Sequence, residues 1–196
     1  MNNSLHRSMT FVFLVILYAD VTLSAQPNTV NAQKAANIYD KAIETIALSQ
    51  DKDAVHAASD TLRKGGLKAI NSLRKHLNDG RVSKSNHLMR AVIGMPDMGD
   101  HCFWLIQDII EPAVPKLYSS MYASLSRDNI TKWLDDRSEA TLVELQIAAA
   151  SQSLEKAKTD FEGNAKPYAK QAITIYSNRL NKLKAQAKKK RDSKTN

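Results

Sequence analysis

Apolar residues recur every three or four positions from Ala32 to about Ala187, with polar residues between them. This is the period of amphipathic α-helices. The most apolar stretch is DMGDHCFWLIQDIIEPAVP, Asp97 to Pro115. Cys102, Leu105, Ile106 and Ile109 fall at i, i+3, i+4 and i+7, on one helical face. Phe103 and Ile110 occupy the neighbouring face, and Trp104 makes most of the circumference apolar. Such a helix belongs in an interior, with other helices on several sides. Asp97 or Asp100 is placed to cap its start, and Pro112 should end it near Glu111.

The same spacing predicts the other elements. A first helix runs from about Ala32 to Ser49 on Ala35, Ile38, Tyr39, Ala42 and Ile46. Asp51 or Asp53 caps a second helix carrying Val55, Ala58 and Leu62, which Gly65-Gly66 stops. Leu67 to Leu77 is a third, followed by an Asn78-Asp79-Gly80 turn. Ser83 or Ser85 caps a short fourth with Leu88, Ala91 and Val92, closed by Gly94 and Pro96. Beyond the central helix come a helix on Leu117, Met121 and Leu125 and a short one on Ile130, Trp133, Leu134 and Arg137. Thr141 and Glu144 form a capping box opening a helix on Ile147, Ala150, Leu154, Ala157 and Phe161, which Gly163 ends. Pro167 starts the last, on Ile173, Tyr176, Leu180, Leu183 and Ala187.

Two successive heptad-like helices joined by a short turn predict an antiparallel hairpin. The expected fold is therefore all-α, one domain of stacked antiparallel helix pairs, as a repeat stack or an irregular bundle, ending in a helical hairpin. The expected order is a signal segment at 1–25, a polar leader at 26–31 and an all-α domain at 32–183. Helix pairs fill 32–137 of that domain and the hairpin 141–183. A basic, disordered tail occupies 184–196.

Ile70, Leu73 and Leu77 recur as Phe103, Ile106 and Ile110 at a constant offset of 33, a period that suggests stacked helix pairs. The stretch GGLKAINSLRKHLNDGRVSKSNHLMRAVIG resembles a HEAT-type repeat through its leading apolar helix, the Asp79 after it and a second apolar helix. The resemblance spans mainly residues 65–111. It departs from the family pattern in lacking a proline inside the first helix and in carrying Ser85 where the family often has arginine. It implies a stacked helical scaffold that binds partners, with no catalysis.

Composition narrows the setting. Hydrophobic residues make up 43% of 196, and glycine (6) and proline (5) are scarce, which favours helices with a real core over a turn-rich β fold. The N-terminus has Arg7, then the apolar run TFVFLVILYA (Thr10 to Ala19), then small residues at Ser24 and Ala25. This reads as a secretory signal peptide cleaved near Ser24 or Ala25, with an uncleaved anchor or buried helix as the competing reading. The expected location is exported, periplasmic or extracellular. A single cysteine excludes an intrachain disulfide, so the core holds the fold unaided. The net charge is +8, but +6 of it comes from seven cations against Asp192 between Lys182 and Lys194. The body is nearly neutral, so a general nucleic-acid argument from charge fails.

Candidate chemistry is sparse. His101, Asp108 and Glu111 are spaced to share a helical face and could serve acid–base work. Cys102 adjoins His101, but adjacent helical residues point about 100° apart and cannot easily grip one ion. No HExxH, paired CxxC, GxSxG or glycine-rich phosphate loop occurs; no metal site and no cofactor is expected. His56 and Asp60 read as a surface pair, and Asp135-Asp136 as solvated charges. Trp104, Tyr118, Tyr122 and Trp133 are either core or the lining of a partner-binding surface. Lys184, Lys188, Lys189, Lys190, Arg191 and Lys194 are candidates for contact with an anionic membrane or polyanion. Three functions follow. The first is an exported, non-enzymatic helical scaffold binding a protein partner, of the periplasmic inhibitor or immunity kind. The second is a small envelope hydrolase built on His101, Asp108 and Glu111. The third is a cationic binder of anionic surfaces.

Overall fold

Helix boundaries follow local chemistry closely. Asp51 has extended backbone, and its carboxylate accepts hydrogen bonds from the amides of Asp53 and Ala54 at 2.9 and 3.4 Å. This starts α2 (Lys52–Gly65) directly after α1 (Asn28–Leu48). Gly66, at φ 56°, sits alone between α2 and α3 (Leu67–Arg74). Positive φ without a Cβ penalty lets one residue reverse the chain. The third helix ends three residues short of the predicted Leu77. There the backbone tightens into i→i+3 bonds, such as His76 N–H to Leu73 O at 3.0 Å, while Leu77 stays buried.

The computed structural model describes residues 28–84, 96–112, 114–164 and 167–195. The signal segment at 1–25 and the predicted helix on Leu88, Ala91 and Val92 lie outside the described residues. Of the leader expected at 26–31, Asn28 onward is already helical. From residue 35 the chain forms one compact unit; residues 28–34 are the described part of another.

The central helix is α4 (Met98–Ile110). Asp97 caps it: its carboxylate takes the Asp100 amide at 2.8 Å, and Asp100 returns the bond to the Asp97 amide at 3.2 Å. The turn after α3 supplies two more acceptors, Arg81 O for Met98 N–H (2.8 Å) and Asp79 O for Gly99 N–H (2.9 Å). All the exposed amides of a helix start need such partners. The helix stops at Glu111, as Pro112 requires.

Then come α5 (Lys116–Tyr122), α6 (Ile130–Asp135), α7 (Leu142–Asn164) and α8 (Pro167–Thr195). Thr141 and Glu144 bond reciprocally, Thr141 N–H to Glu144 Oε2 at 2.8 Å and Glu144 N–H to Thr141 Oγ1 at 3.4 Å. The fold is all-helical, and α7 and α8 pack as a hairpin. One core cluster surrounds α4 with Ile43, Ile46, Leu62, Ile70, Leu73, Ile130 and Leu145. A second joins Tyr122 of α5 to Leu154, Ala157, Ala169, Ala172 and Tyr176 of the hairpin.

Two expectations are corrected. The central helix is not enclosed all round: Trp104 is 43% exposed, and α4 is open on that face. The tail expected to be disordered from Lys184 is instead helical to Thr195. Lysine, alanine, glutamine and arginine are good helix formers, and cations in a last turn complement the helix dipole.

Candidate binding groove

The open face of α4 carries His101, Trp104 and Asp108, spaced i, i+3 and i+7, so they project side by side. Facing them are Val55, Ser59 and Arg63 of α2, Ile46 of α1 and Lys116 of α5; together these enclose a groove of about 250 Å³. The floor is apolar and the rim is charged. The indole of Trp104 meets the His101 ring edge to face, centroids 5.3 Å apart and planes at 79°. Burial holds the imidazole below its ordinary pKa against the pull of Asp100 and Asp97, which favours its neutral form.

Asp108 is committed to ion pairs. Its Oδ2 accepts from Nε and Nη2 of Arg63, both at 3.2 Å, and its Oδ1 accepts from Lys116 Nζ at 3.0 Å. Arg63 also reaches Asp60 at 3.1 Å. These pairs knit α2, α4 and the start of α5 together along the groove. Both carboxylate oxygens already accept from these cations, so neither is free to take a proton from a substrate.

Glu111 does not join them. At φ −116°, ψ 50° it has left helical geometry, and its side chain turns toward the hairpin. It is 4% exposed. Ser153 Oγ donates to its Oε1 at 2.9 Å, and Oε2 has no protein partner. Burial raises its pKa, opposed by the Ser153 bond and by Arg179 and Lys156. The predicted trio is thus two residues in a groove and one inside the α7–α8 interface. Cys102 is buried too, its thiol pushed up to about 12 by burial and then by Asp79 and Asp97, which disfavours the thiolate. Among the described residues no group of three His, Cys, Asp or Glu is placed to hold a metal ion.

The aromatic surface is likewise divided. Tyr122 is buried in the second cluster with its hydroxyl toward Asp160. Tyr118 packs beside it and bonds Gln171. Trp133 is buried around α4, donates to Gln152 at 2.9 Å and lies 4.5 Å beneath the Arg137 guanidinium. Only Trp104 of the four is an exposed aromatic in the groove. Asp135 and Asp136 pair with Arg74 and Lys132, as solvated charges do. Lys184, Lys188, Lys189, Lys190 and Arg191 are exposed along the end of α8.

Sequence reasoning missed Arg63 and Lys116 as groove residues. Arg63 lies in the last turn of α2, and nothing local links it to a carboxylate 45 positions away. Compared with known protein families, curated proteins and solved structures, the chain finds no match. No helix among the described residues is long and apolar enough to cross a membrane.

Proposed function

We propose that this chain is an exported, non-enzymatic helical protein that binds a protein partner, with the α2–α4 groove as the seat and Trp104 as the anchor. The observation that carries this reading is the fate of α4's functional side chains. The groups an enzyme would need are separated or tied up, while one large aromatic stands 43% exposed on the most deeply packed helix. A tryptophan on a rigid support, over an apolar floor with a charged rim, has the makeup of an interface hot spot. The HEAT-like scaffold belongs to the same proposal: α2, α3 and α4 pack against one another in chain order, as stacked helix pairs would. Export to the periplasm or exterior rests on the N-terminal sequence.

The test is affinity capture from an envelope fraction of the native host, comparing wild type with Trp104→Ala and identifying bound proteins by mass spectrometry. Wild type should retain a specific partner, and the variant should lose it at least about tenfold, the weakening expected from truncating a central aromatic anchor. Both proteins should melt within a few degrees of each other. Equal capture by the two proteins overturns the groove as the seat. Hydrolysis of ester or glycosidic reporters that disappears in His101→Ala would favour the hydrolase instead.

A further inference from the structure

The seam that holds α8 against α7 runs through Ala169, Ala172, Tyr176 and Leu183, all buried, and half-buried Ala187. The next two positions on that spacing are Lys190 and Lys194. The switch from apolar to cationic coincides with the end of the partner helix: Arg191 lies 4.0 Å from Glu144 in the first turn of α7. Past Arg191 only the first residues of α7 remain, and the sequence of α8 there offers no apolar side chain. Lys182, Lys184, Lys188 and Lys189 surround the same stretch and are exposed. The result is a helical cationic arm, fixed to the body through the hairpin, with +6 between Lys182 and Lys194 by sequence. Asp192 lies within the arm by sequence, and Arg191 approaches Glu144.

We infer that this arm docks the protein on an anionic lipid bilayer. The attraction needs only charge: each lysine near a surface of acidic lipid contributes roughly 1 kcal/mol, falling off within a Debye length. The arm has no aromatic to stack on bases and no apolar stripe to insert. Its cations are nearly all lysines, compact point charges on flexible stems, which suit a fluid field of headgroups better than fixed bidentate recognition. The N-terminal apolar run, read as an export segment, brings the chain to a bilayer in the first place; to that extent the inference shares the export part of the proposed function but not its groove.

The experiment is co-sedimentation of the full chain with vesicles rich in phosphatidylglycerol, against pure phosphatidylcholine vesicles. The neutral vesicles report any uptake by the N-terminal apolar run. Replacing Lys184, Lys188, Lys189 and Lys190 together with Gln keeps helix propensity and removes four charges. Wild type should prefer the acidic vesicles, and the quadruple variant should lose that preference at least about tenfold, given the per-lysine contribution. Added salt should weaken the wild-type preference, while helicity by circular dichroism stays unchanged. Trp104→Ala should bind vesicles as wild type does, which separates failure of the groove from failure of the arm. Equal binding of wild type to acidic and neutral vesicles, or equal binding by wild type and the quadruple variant, overturns the inference. Tighter binding to duplex DNA than to acidic vesicles at the same salt assigns the arm to nucleic acid and overturns it too.

Discussion

The two ends of α4 solve the same problem in opposite ways. At its start, Arg127 from the loop before α6 brings one guanidinium to three acceptors. Nη1 meets Asp97 Oδ1 and Asp100 Oδ1, each at 2.9 Å, while Nε and Nη2 bond Leu77 O at 3.0 and 2.8 Å. At its finish, Glu111 has one bond from Ser153, and around it the polar atoms Glu111 Oε2, Tyr176 OH, Arg179 Nε and Ser124 Oγ are buried without a protein partner. One end is a closed network in which each ion is matched. The other is a buried carboxyl whose pKa rises because desolvation outweighs its neighbours. A satisfied network rigidifies, whereas a partly satisfied one holds its ionised form at a cost.

The difference has a backbone origin. Gly99 lets the Leu77 carbonyl and the Arg127 guanidinium lie directly against α4; a Cβ there would collide with both. A fork of five donors fits the slot, and a lysine would not. At the other end, Pro112 terminates the helix and no glycine opens a comparable approach. The carboxyl that closes α4 is then carried into an interface built mainly from Leu154, Ala157, Ala172 and Tyr176.

If the first end is the stronger clasp, Arg127→Ala should be the most damaging change in the polar structure. It strands two half-exposed carboxylates beside each other and leaves Leu77 O without its side-chain donors. The loss should be about 2–4 kcal/mol, somewhat under that for a fully buried pair because Arg127 keeps 32% of its side-chain exposure. Thermal melts should show a Tm lower by on the order of 10 °C, at a few degrees per kcal/mol for a domain of this size. Arg127→Lys should not restore it. A drop no larger than that of Glu111→Gln would mean the two ends are equivalent.

The next contrast lies in acid response. Beside the α4 start, Asp79 is held at about 2 chiefly by its hydrogen bond from Arg81, which also pairs with Glu44 at 2.7 Å and lowers that carboxyl. A carboxylate with a depressed folded pKa stabilises above its unfolded value near 3.8 and loses that contribution as pH falls toward 2. Because Arg81 is 45% exposed, solvent screening reduces the amount to about 1–2 kcal/mol. Asp79→Asn should therefore be less stable than wild type by that amount at pH 7 and converge with it near pH 2. Urea unfolding across pH 2–7 measures the gap; a constant gap would remove ionisation from the explanation.

Much of this architecture was legible because it is local. A cap at Asp97 or Asp100, the Thr141–Glu144 box, the Gly65-Gly66 stop, the Pro112 break and the hairpin seam each depend on residues within a turn or two of one another; that Asp97 and Asp100 cap reciprocally is seen only in the structure. What was not legible depends on distant partners. Trp104 belongs to an apolar helix by composition, and only the placement of α2 and α5 leaves it open. His101 and Asp108 share a face as their spacing implies, but Glu111 sits where the chain leaves the helix, so periodicity no longer predicts its direction. Nothing in the sequence singles out Arg127, because 50 positions separate it from Leu77. Past Ala187 the seam of α8 has no apolar residue, so periodicity predicts no helix there, although the residues individually favour one.

The smallest expected effect is the most discriminating, because it carries the opposite sign. Burial, the largest influence on Glu111, raises its folded pKa above the ordinary 4.5. The folded state then holds the proton more tightly than the unfolded chain does. Stability from this group is complete below 4.5 and falls as pH rises through the raised value, the reverse of Asp79. Glu111→Gln keeps the shape and leaves an amide oxygen to accept the Ser153 hydroxyl, so at pH 4 it should match wild type within about 1 kcal/mol. As pH rises, wild type must either hold the proton on Glu111 or place an ionised carboxylate among Tyr176, Ser153 and the backbone end of α4, with Arg179 and Lys156 offsetting only part of its desolvation. The variant contains none. Its stability relative to wild type should therefore increase between pH 4 and pH 8, read from paired urea titrations. If the variant instead loses ground as pH rises, Glu111 is an effective ionised partner of Arg179, and both ends of α4 are closed networks after all.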